Sequence, residues 1–186
     1  MPFDFAEIDH CWTLFLDRDG VINVEKNEDY IRNWGEFEFY KESLLALPVL
    51  ANKFSRILIA TNQKGVGKGW MSEEDLMNIH FNMNAVIQNV GGRIDHIFYC
   101  TDLDNASPNR KPQSGMALQA QAKMPMIDFA KSIMVGNRMS DMEFGRNAGM
   151  HTVFLATTHP STPFPDGHID YRFDNLLAFS NALTHS

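Results

Sequence analysis

Cysteine is nearly absent. Cys11 and Cys100 are the only two in 186 residues and stand far apart. One disulfide is the most they allow, so a disulfide scaffold is excluded and a reducing compartment is expected. Long apolar runs are missing too. None approaches the length of a membrane span, and the first residues, MPFDFAEIDHCW, carry acids where a signal peptide needs Lys or Arg. Positive charge is scarce: 16 Lys and Arg face 23 Asp and Glu, a formal net charge of −7 with a sequence pI of about 5.4. That balance argues against a nucleic-acid backbone as the main partner. A monomeric cytoplasmic protein without membrane contact is expected.

What is present is an ordinary globular mixture, 44% hydrophobic and 21% charged, of a length suited to a single domain over residues 1–186. Four short apolar runs stand out: Leu14–Leu16, Ile57–Ala60, Ile133–Val135 and Thr152–Leu155, with 94–100 as a further candidate. Such continuous runs of branched residues read as strands buried on both faces, which are usually parallel. Helical patterns fall between them, over 41–53, 72–90 with Ser72 as N-cap, 114–123, 141–148 with Ser140 as N-cap and Gly149 just past the end, and 174–184 with Asp174 as N-cap. Segments 24–40, 101–114 and 157–170 read as surface loops. The alternation predicts an α/β fold, a Rossmann-like three-layer sandwich around a mostly parallel sheet.

In such folds the carboxyl ends of the strands line the ligand crevice. Three apolar runs are followed there by DRDG, TNQ and GNRMSD. Asp17 and Asp19, two apart at a strand end, repel each other and resist desolvation. A divalent cation such as Mg²⁺ offsets that cost and draws a phosphate to the same place. One ionised Asp can then attack phosphorus, and the other can move a proton on or off the leaving oxygen. Taken alone, Asp-x-Asp reads more plainly as an exposed turn with two solvated acids. The apolar strand before it and Gly20-Val21-Ile22-Asn23 after it favour a site.

The set Asp17-Arg18-Asp19-Gly20-Val21-Ile22-Asn23, Ala60-Thr61-Asn62-Gln63, Arg110-Lys111-Pro112 and Val135-Gly136-Asn137-Arg138-Met139-Ser140-Asp141 resembles the four ordered motifs of the haloacid dehalogenase-like (HAD) phosphatases. The particular forms resemble the small-capped branch that acts on heptose bisphosphate and histidinol phosphate. The resemblance implies a HAD fold without a large cap domain, and a Mg²⁺-dependent phosphomonoester hydrolase working through an aspartyl-phosphate. It implies Asp17 as nucleophile and metal ligand, and Asp19 as general acid/base with its backbone carbonyl on the metal. Thr61 and the Asn62 backbone N–H would hold the phosphate, and Lys111 would neutralise phosphoryl oxygens and nucleophile. Gln63 and Arg110 would face the substrate, a small phosphorylated metabolite. Thr61 alone reads equally as strand filler and Lys111 alone as a solvated loop lysine; the set carries the argument.

Two departures from that family matter. Only Cys100 remains of the four ligands that hold a structural zinc in many relatives, so no zinc is expected. Asn137 stands where the family usually has Asp as a direct ligand; its amide oxygen can still coordinate Mg²⁺, with Asp141 expected to supply the missing charge. Lys64-Gly65-Val66-Gly67-Lys68-Gly69 fails the P-loop pattern at both ends and reads as a turn beside the site. His80 reads as a partly buried helix residue, and the dense methionines as core. The favoured substrate is a sugar phosphate, heptose bisphosphate first and histidinol phosphate second. A polynucleotide 3′-phosphatase and a non-catalytic phosphate-binding domain are the rivals.

Overall fold

The computed structural model describes residues 3–184. Its centre is a sheet of six strands, β1 (Thr13–Leu16), β2 (Arg56–Asn62), β3 (His96–Cys100), β4 (Ser132–Gly136), β5 (His151–Leu155) and β6 (Tyr171–Phe173), in the order β3-β2-β1-β4-β5-β6. Every pairing is parallel. The helices are α1 (Lys41–Lys53), the single turn α2 (Lys64–Gly67), α3 (Glu73–Asn89), α4 (Gly115–Lys123), α5 (Met139–Ala148) and α6 (Leu176–Thr184). No helix among the described residues is long and apolar enough to cross a membrane.

Strand alternation sorts the core into two layers. Leu14, Leu16, Ile57, Ile59, Ile133 and Val135 pack on one side with residues of α1, α3 and α6. Phe15, Leu58, Ala60 and Met134 pack on the other with α4 and Phe144 of α5. Strands covered on both faces have no polar side to show, which is why they read as unbroken apolar runs. Each fully buried Leu, Ile or Phe contributes roughly 1.5–3 kcal/mol relative to exposure.

Local signals set most element ends. Ser72 caps α3 through a reciprocal pair with Asp75, Oγ accepting from the Asp75 N–H at 3.0 Å and the Ser72 N–H donating to Asp75 Oδ2 at 2.8 Å. Gly149 ends α5 at φ +85°, a left-handed backbone that costs glycine little. Two expected caps are displaced. Asn175, not Asp174, accepts from the first turn of α6, Oδ1 to the Ala178 N–H at 2.9 Å. Ser140 lies inside the first turn of α5, whose leading amides are met by Asp141. The methionines are largely core, Met116, Met134, Met142 and Met150 being buried, although Met126 is 77% exposed.

Strands β1, β2 and β3 run outward in one direction, and β4 returns to the other flank of β1. The sequence order therefore reverses at β1, and its carboxyl end is the crevice of the sheet.

Candidate active site

The loop after β1 curls around one carbonyl. Arg18 O accepts from the N–H groups of Val21 (3.3 Å), Ile22 (2.8 Å) and Asn23 (3.3 Å). Gly20 turns the chain at φ +82°, and Val21 and Ile22 anchor the turn in the core. Asp17 continues the sheet, its N–H on Val135 O at 2.9 Å. Arg18 points the other way and is fully buried. Its Nη2 meets Asp19 Oδ1 and Oδ2 at 2.9 and 3.0 Å and Gln63 Oε1 at 3.2 Å, and its Nη1 lies 3.2 Å from His80 Nε2.

Asp17, Asp19, Thr61, Lys111 and Asp141 converge on one cavity of about 400 Å³. Lys111 Nζ sits between two carboxylates, 2.9 Å from Asp17 Oδ1 and 2.7 Å from Asp141 Oδ1. The Lys111 loop is fastened to β2 by a reciprocal amide pair: Asn62 Nδ2 donates to Lys111 O at 3.1 Å, and the Lys111 N–H donates to Asn62 Oδ1 at 3.0 Å. Asn62 also lines the cavity, as do Arg110 and the loop residues Glu25 and Tyr30.

The electrostatics differ between the two front acids. Burial pushes Asp17 up to about 7, Lys111 opposing it while Asp141 and Asp19 add to it. At Asp19 burial also works upward, but the Arg18 guanidinium and hydrogen bonds from Asn23, Arg18 and Gln63 outweigh it and hold Asp19 below the usual carboxylate range. Burial works against the Lys111 charge, yet Asp141 and Asp17 overcome it and raise Lys111 above the usual lysine range.

Three of these residues have surroundings in the structure that the sequence does not announce. Gln63 does not face the cavity. It is buried, donating to Asp19 Oδ2 and Thr61 Oγ1, each at 2.9 Å. It braces the two residues expected to act; a side chain at a strand end can turn inward or outward, and the sequence does not say which. Asp141 has both oxygens engaged, Oδ1 with Lys111 and Oδ2 with the N–H groups of Asn137 and Arg138 at 3.1 and 3.0 Å. It orients Lys111 and caps α5. His80, read as partly buried, is buried; burial first, then the Arg18 charge, pushes it down to about 3, so a neutral ring faces Arg18. Sequence reasoning missed Arg18, although period-two alternation through 17 and 19 sends residue 18 inward. It also missed Glu25, for which a polar loop offers no pattern.

Asn137 is fully buried and its Oδ1 has no hydrogen-bond partner. A buried oxygen without a partner suits a hard divalent cation, which takes oxygen ligands. Asp17, the Asp19 carbonyl and Asn137 Oδ1 are the oxygen donors that would hold Mg²⁺ here.

The sheet order and the acids at its switch point define a class, and comparison agrees: the chain belongs to the HAD superfamily, whose members of this kind are phosphomonoester hydrolases that use Mg²⁺. The HAD-hydrolase-like family model matches residues 108–170. Among individual relatives, the chain is 35% identical over 178 residues to the D-glycero-alpha-D-manno-heptose-1,7-bisphosphate 7-phosphatase of Mycobacterium tuberculosis, spanning 95% of this chain and 94% of the relative. It is 32% identical over 168 residues to the enzyme of the same name from Campylobacter jejuni, spanning 90% and 93%. In structure it resembles the D,D-heptose 1,7-bisphosphate phosphatase of B. bronchiseptica, solved with magnesium and phosphate, with a TM-score of 0.84 at 24% identity over 94% of this chain and 98% of that one. The corresponding protein from Burkholderia thailandensis superposes with a TM-score of 0.68 at 27% identity, over 94% and 99%.

Proposed function

We propose that this chain removes one phosphate from a heptose 1,7-bisphosphate or a close sugar bisphosphate. The observation that carries the reading is the convergence of Asp17, Asp19, Thr61 and Lys111 on a single cavity at the switch point of the sheet. Among the carboxylates of Asp17, Asp19, Glu25, Glu28, Asp29 and Asp141, the cavity also presents the cations Lys26, Arg110 and Arg138 beside Lys111. A bisphosphate offers a second anion for those groups to meet.

Asp17 attacks phosphorus and its Oδ–P bond replaces the phosphorus–alcohol bond, giving an aspartyl-phosphate. Bound Mg²⁺ would hold Asp17 in its ionised form and neutralise the phosphoryl oxygens. Thr61 Oγ1 already accepts from Gln63, so its hydroxyl hydrogen is free to donate to the phosphate. Lys111 supplies a second positive charge, kept in place by Asp141. Asp19 is held ionised before substrate arrives. The incoming phosphate adds negative charge and excludes water, so Asp19 takes up a proton from solvent as the phosphate binds, and it then gives that proton to the departing alkoxide. In the second step it takes a proton from water as the water opens the acyl phosphate.

A panel of phosphorylated metabolites assayed with Mg²⁺ tests this. Highest kcat/KM on heptose 1,7-bisphosphate is expected. A preference for histidinol phosphate or for a polynucleotide 3′-phosphate would replace the substrate assignment, and no turnover on any phosphomonoester would overturn the catalytic reading.

A further inference from the structure

Asn137 presents an oddity of orientation. Both hydrogens of its amide are committed, Nδ2 donating to Glu25 Oε2 at 3.0 Å and to Thr158 Oγ1 at 2.6 Å. Its Oδ1 is buried without a partner. Leaving a buried carbonyl unsatisfied costs roughly 1–3 kcal/mol. A primary amide has nearly the same shape after a half-turn, so packing alone does not choose between its ends. Chemistry chooses here. The reverse orientation would set Oδ1 against the Glu25 carboxylate, two acceptors with no proton between them.

Glu25 is itself held. Its Oε1 takes Arg138 Nε at 3.1 Å and Nη2 at 2.5 Å, which leaves Oε2 for the amide. The amide in turn lies against the bare backbone of Gly20, the residue after Asp19: a Cβ there would stand 2.0 Å from Asn137 Nδ2. Thr157 Oγ1 donates to Gly20 O at 2.5 Å, which ties the segment carrying Thr158 to the same turn. Three separate stretches of chain therefore fix one amide, and they leave its oxygen as the end without a partner.

A carboxylate at this position would need no such arrangement, because its two oxygens are equivalent and Glu25 would repel it. We propose that Glu25 is a positioning residue for the metal site: it locks the Asn137 amide so that Oδ1, and not Nδ2, is offered to Mg²⁺. The proposal rests on the reading of Asn137 as a ligand, and the experiment separates the two.

Mg²⁺ binding to metal-stripped protein, followed by isothermal titration calorimetry without substrate, reads affinity apart from turnover. Glu25→Gln keeps the size of the side chain but removes the compulsion, since a Gln amide can meet either end of Asn137. Weakening on the order of 10-fold is expected, the usual effect of losing a group that orients a ligand. The same change made on Asn137→Asp should leave Mg²⁺ affinity unchanged or tighten it, because the orienting role is gone and only repulsion is relieved. Thr158→Val should weaken Mg²⁺ with Asn at 137 and be neutral with Asp there, and it carries the test if thermal unfolding shows Glu25→Gln misfolded. Equal weakening in both backgrounds would overturn the proposal, since Glu25 would then act by charge alone. If Asn137→Asp tightens Mg²⁺ while neither Glu25→Gln nor Thr158→Val matters, the ligand reading stands and the orienting role falls. If none of these changes moves the affinity, Asn137 is not at the metal and both readings fall.

Discussion

At the scale of single residues, Asp17 shows the conflict between site and stability. Its pKa is pushed up to about 7 by burial first, with Asp141 and Asp19 beside it adding to the rise. A group whose folded value lies above its unfolded one, 3.8 here, adds stability at low pH and loses it as pH rises through about 7. Asn resembles protonated Asp in size and neutrality. Asp17→Asn is therefore expected to melt above wild type at pH 8 in chelator, with the difference narrower at pH 5 and closed only as pH falls below the unfolded value of 3.8, while turnover falls by several orders of magnitude because an amide forms no aspartyl-phosphate. Differential scanning fluorimetry at both pH values, beside a phosphate-release assay, checks the pair; activity near wild type would remove the nucleophile assignment. Asp19 carries a different prediction. If it protonates the leaving group, Asp19→Asn should slow an alkyl phosphate far more than an aryl phosphate, whose phenolate departs without help. Equal loss on both substrates would exclude the general-acid role.

At the scale of elements, the reciprocal amide pair between Asn62 and Lys111 makes the end of β2 the anchor of a loop that has no regular structure. Asn62→Ala removes both bonds and is expected to cost about 1–3 kcal/mol of stability. It should lower kcat at least as much as it raises KM, since Lys111 Nζ loses its placement between Asp17 and Asp141. Urea unfolding with steady-state kinetics measures both, and unchanged kinetics would show that Lys111 is positioned by its ion pairs alone. That pair also marks how far the sequence could be read. Strands β1, β2, β4 and β5 were legible because burial on both faces leaves an apolar run. The edge strand β6, three residues each only half-buried, has no such run, and its segment read as the junction of a loop and a helix. The residue types of the site were legible from their order along the chain. Their directions were not, because Gln63, Arg18 and Asp141 are aimed by partners 45, 62 and 30 positions away in sequence (Arg18, His80 and Lys111 in turn), and Glu25 reaches Asn137 across 112.

At the scale of the whole molecule, the loop 101–114 is tied by protein contacts: Lys64 Nζ to Asn105 Oδ1 at 2.8 Å, Ser107 Oγ to Asp102 Oδ2 at 2.5 Å, and Lys111 to Asn62. Purified protein, compared in Mg²⁺-free buffer throughout, is accordingly expected to carry no stoichiometric zinc and to keep its melting temperature after dialysis against a chelator strong enough for zinc. One zinc per chain by elemental analysis would show that this loop is held otherwise.

The sheet order gathers the ends of β1, β2 and β4, so carboxylates distant in sequence share one buried crevice, and that burial, with their mutual repulsion, couples the metal to the proton. With Asp17 raised to about 7 in the absence of metal, Mg²⁺ must displace a proton from it below that pH but not above it. Binding should therefore be independent of pH above about 8. It should weaken about 10-fold by pH 6, and by about a further 10-fold for each unit below that, as expected for one competing proton. Because a ligand that binds only the folded state raises the melting temperature in step with its affinity, Mg²⁺ should stabilise the protein clearly at pH 8 and little at pH 5.5. Asp17→Asn should abolish that pH dependence, whatever Mg²⁺ affinity it retains. Mg²⁺ titrations followed by thermal shift across this range decide the point. A pH-independent midpoint in the wild type would mean that Asp17 is already ionised before the metal arrives, and that Lys111, rather than Mg²⁺, keeps it so.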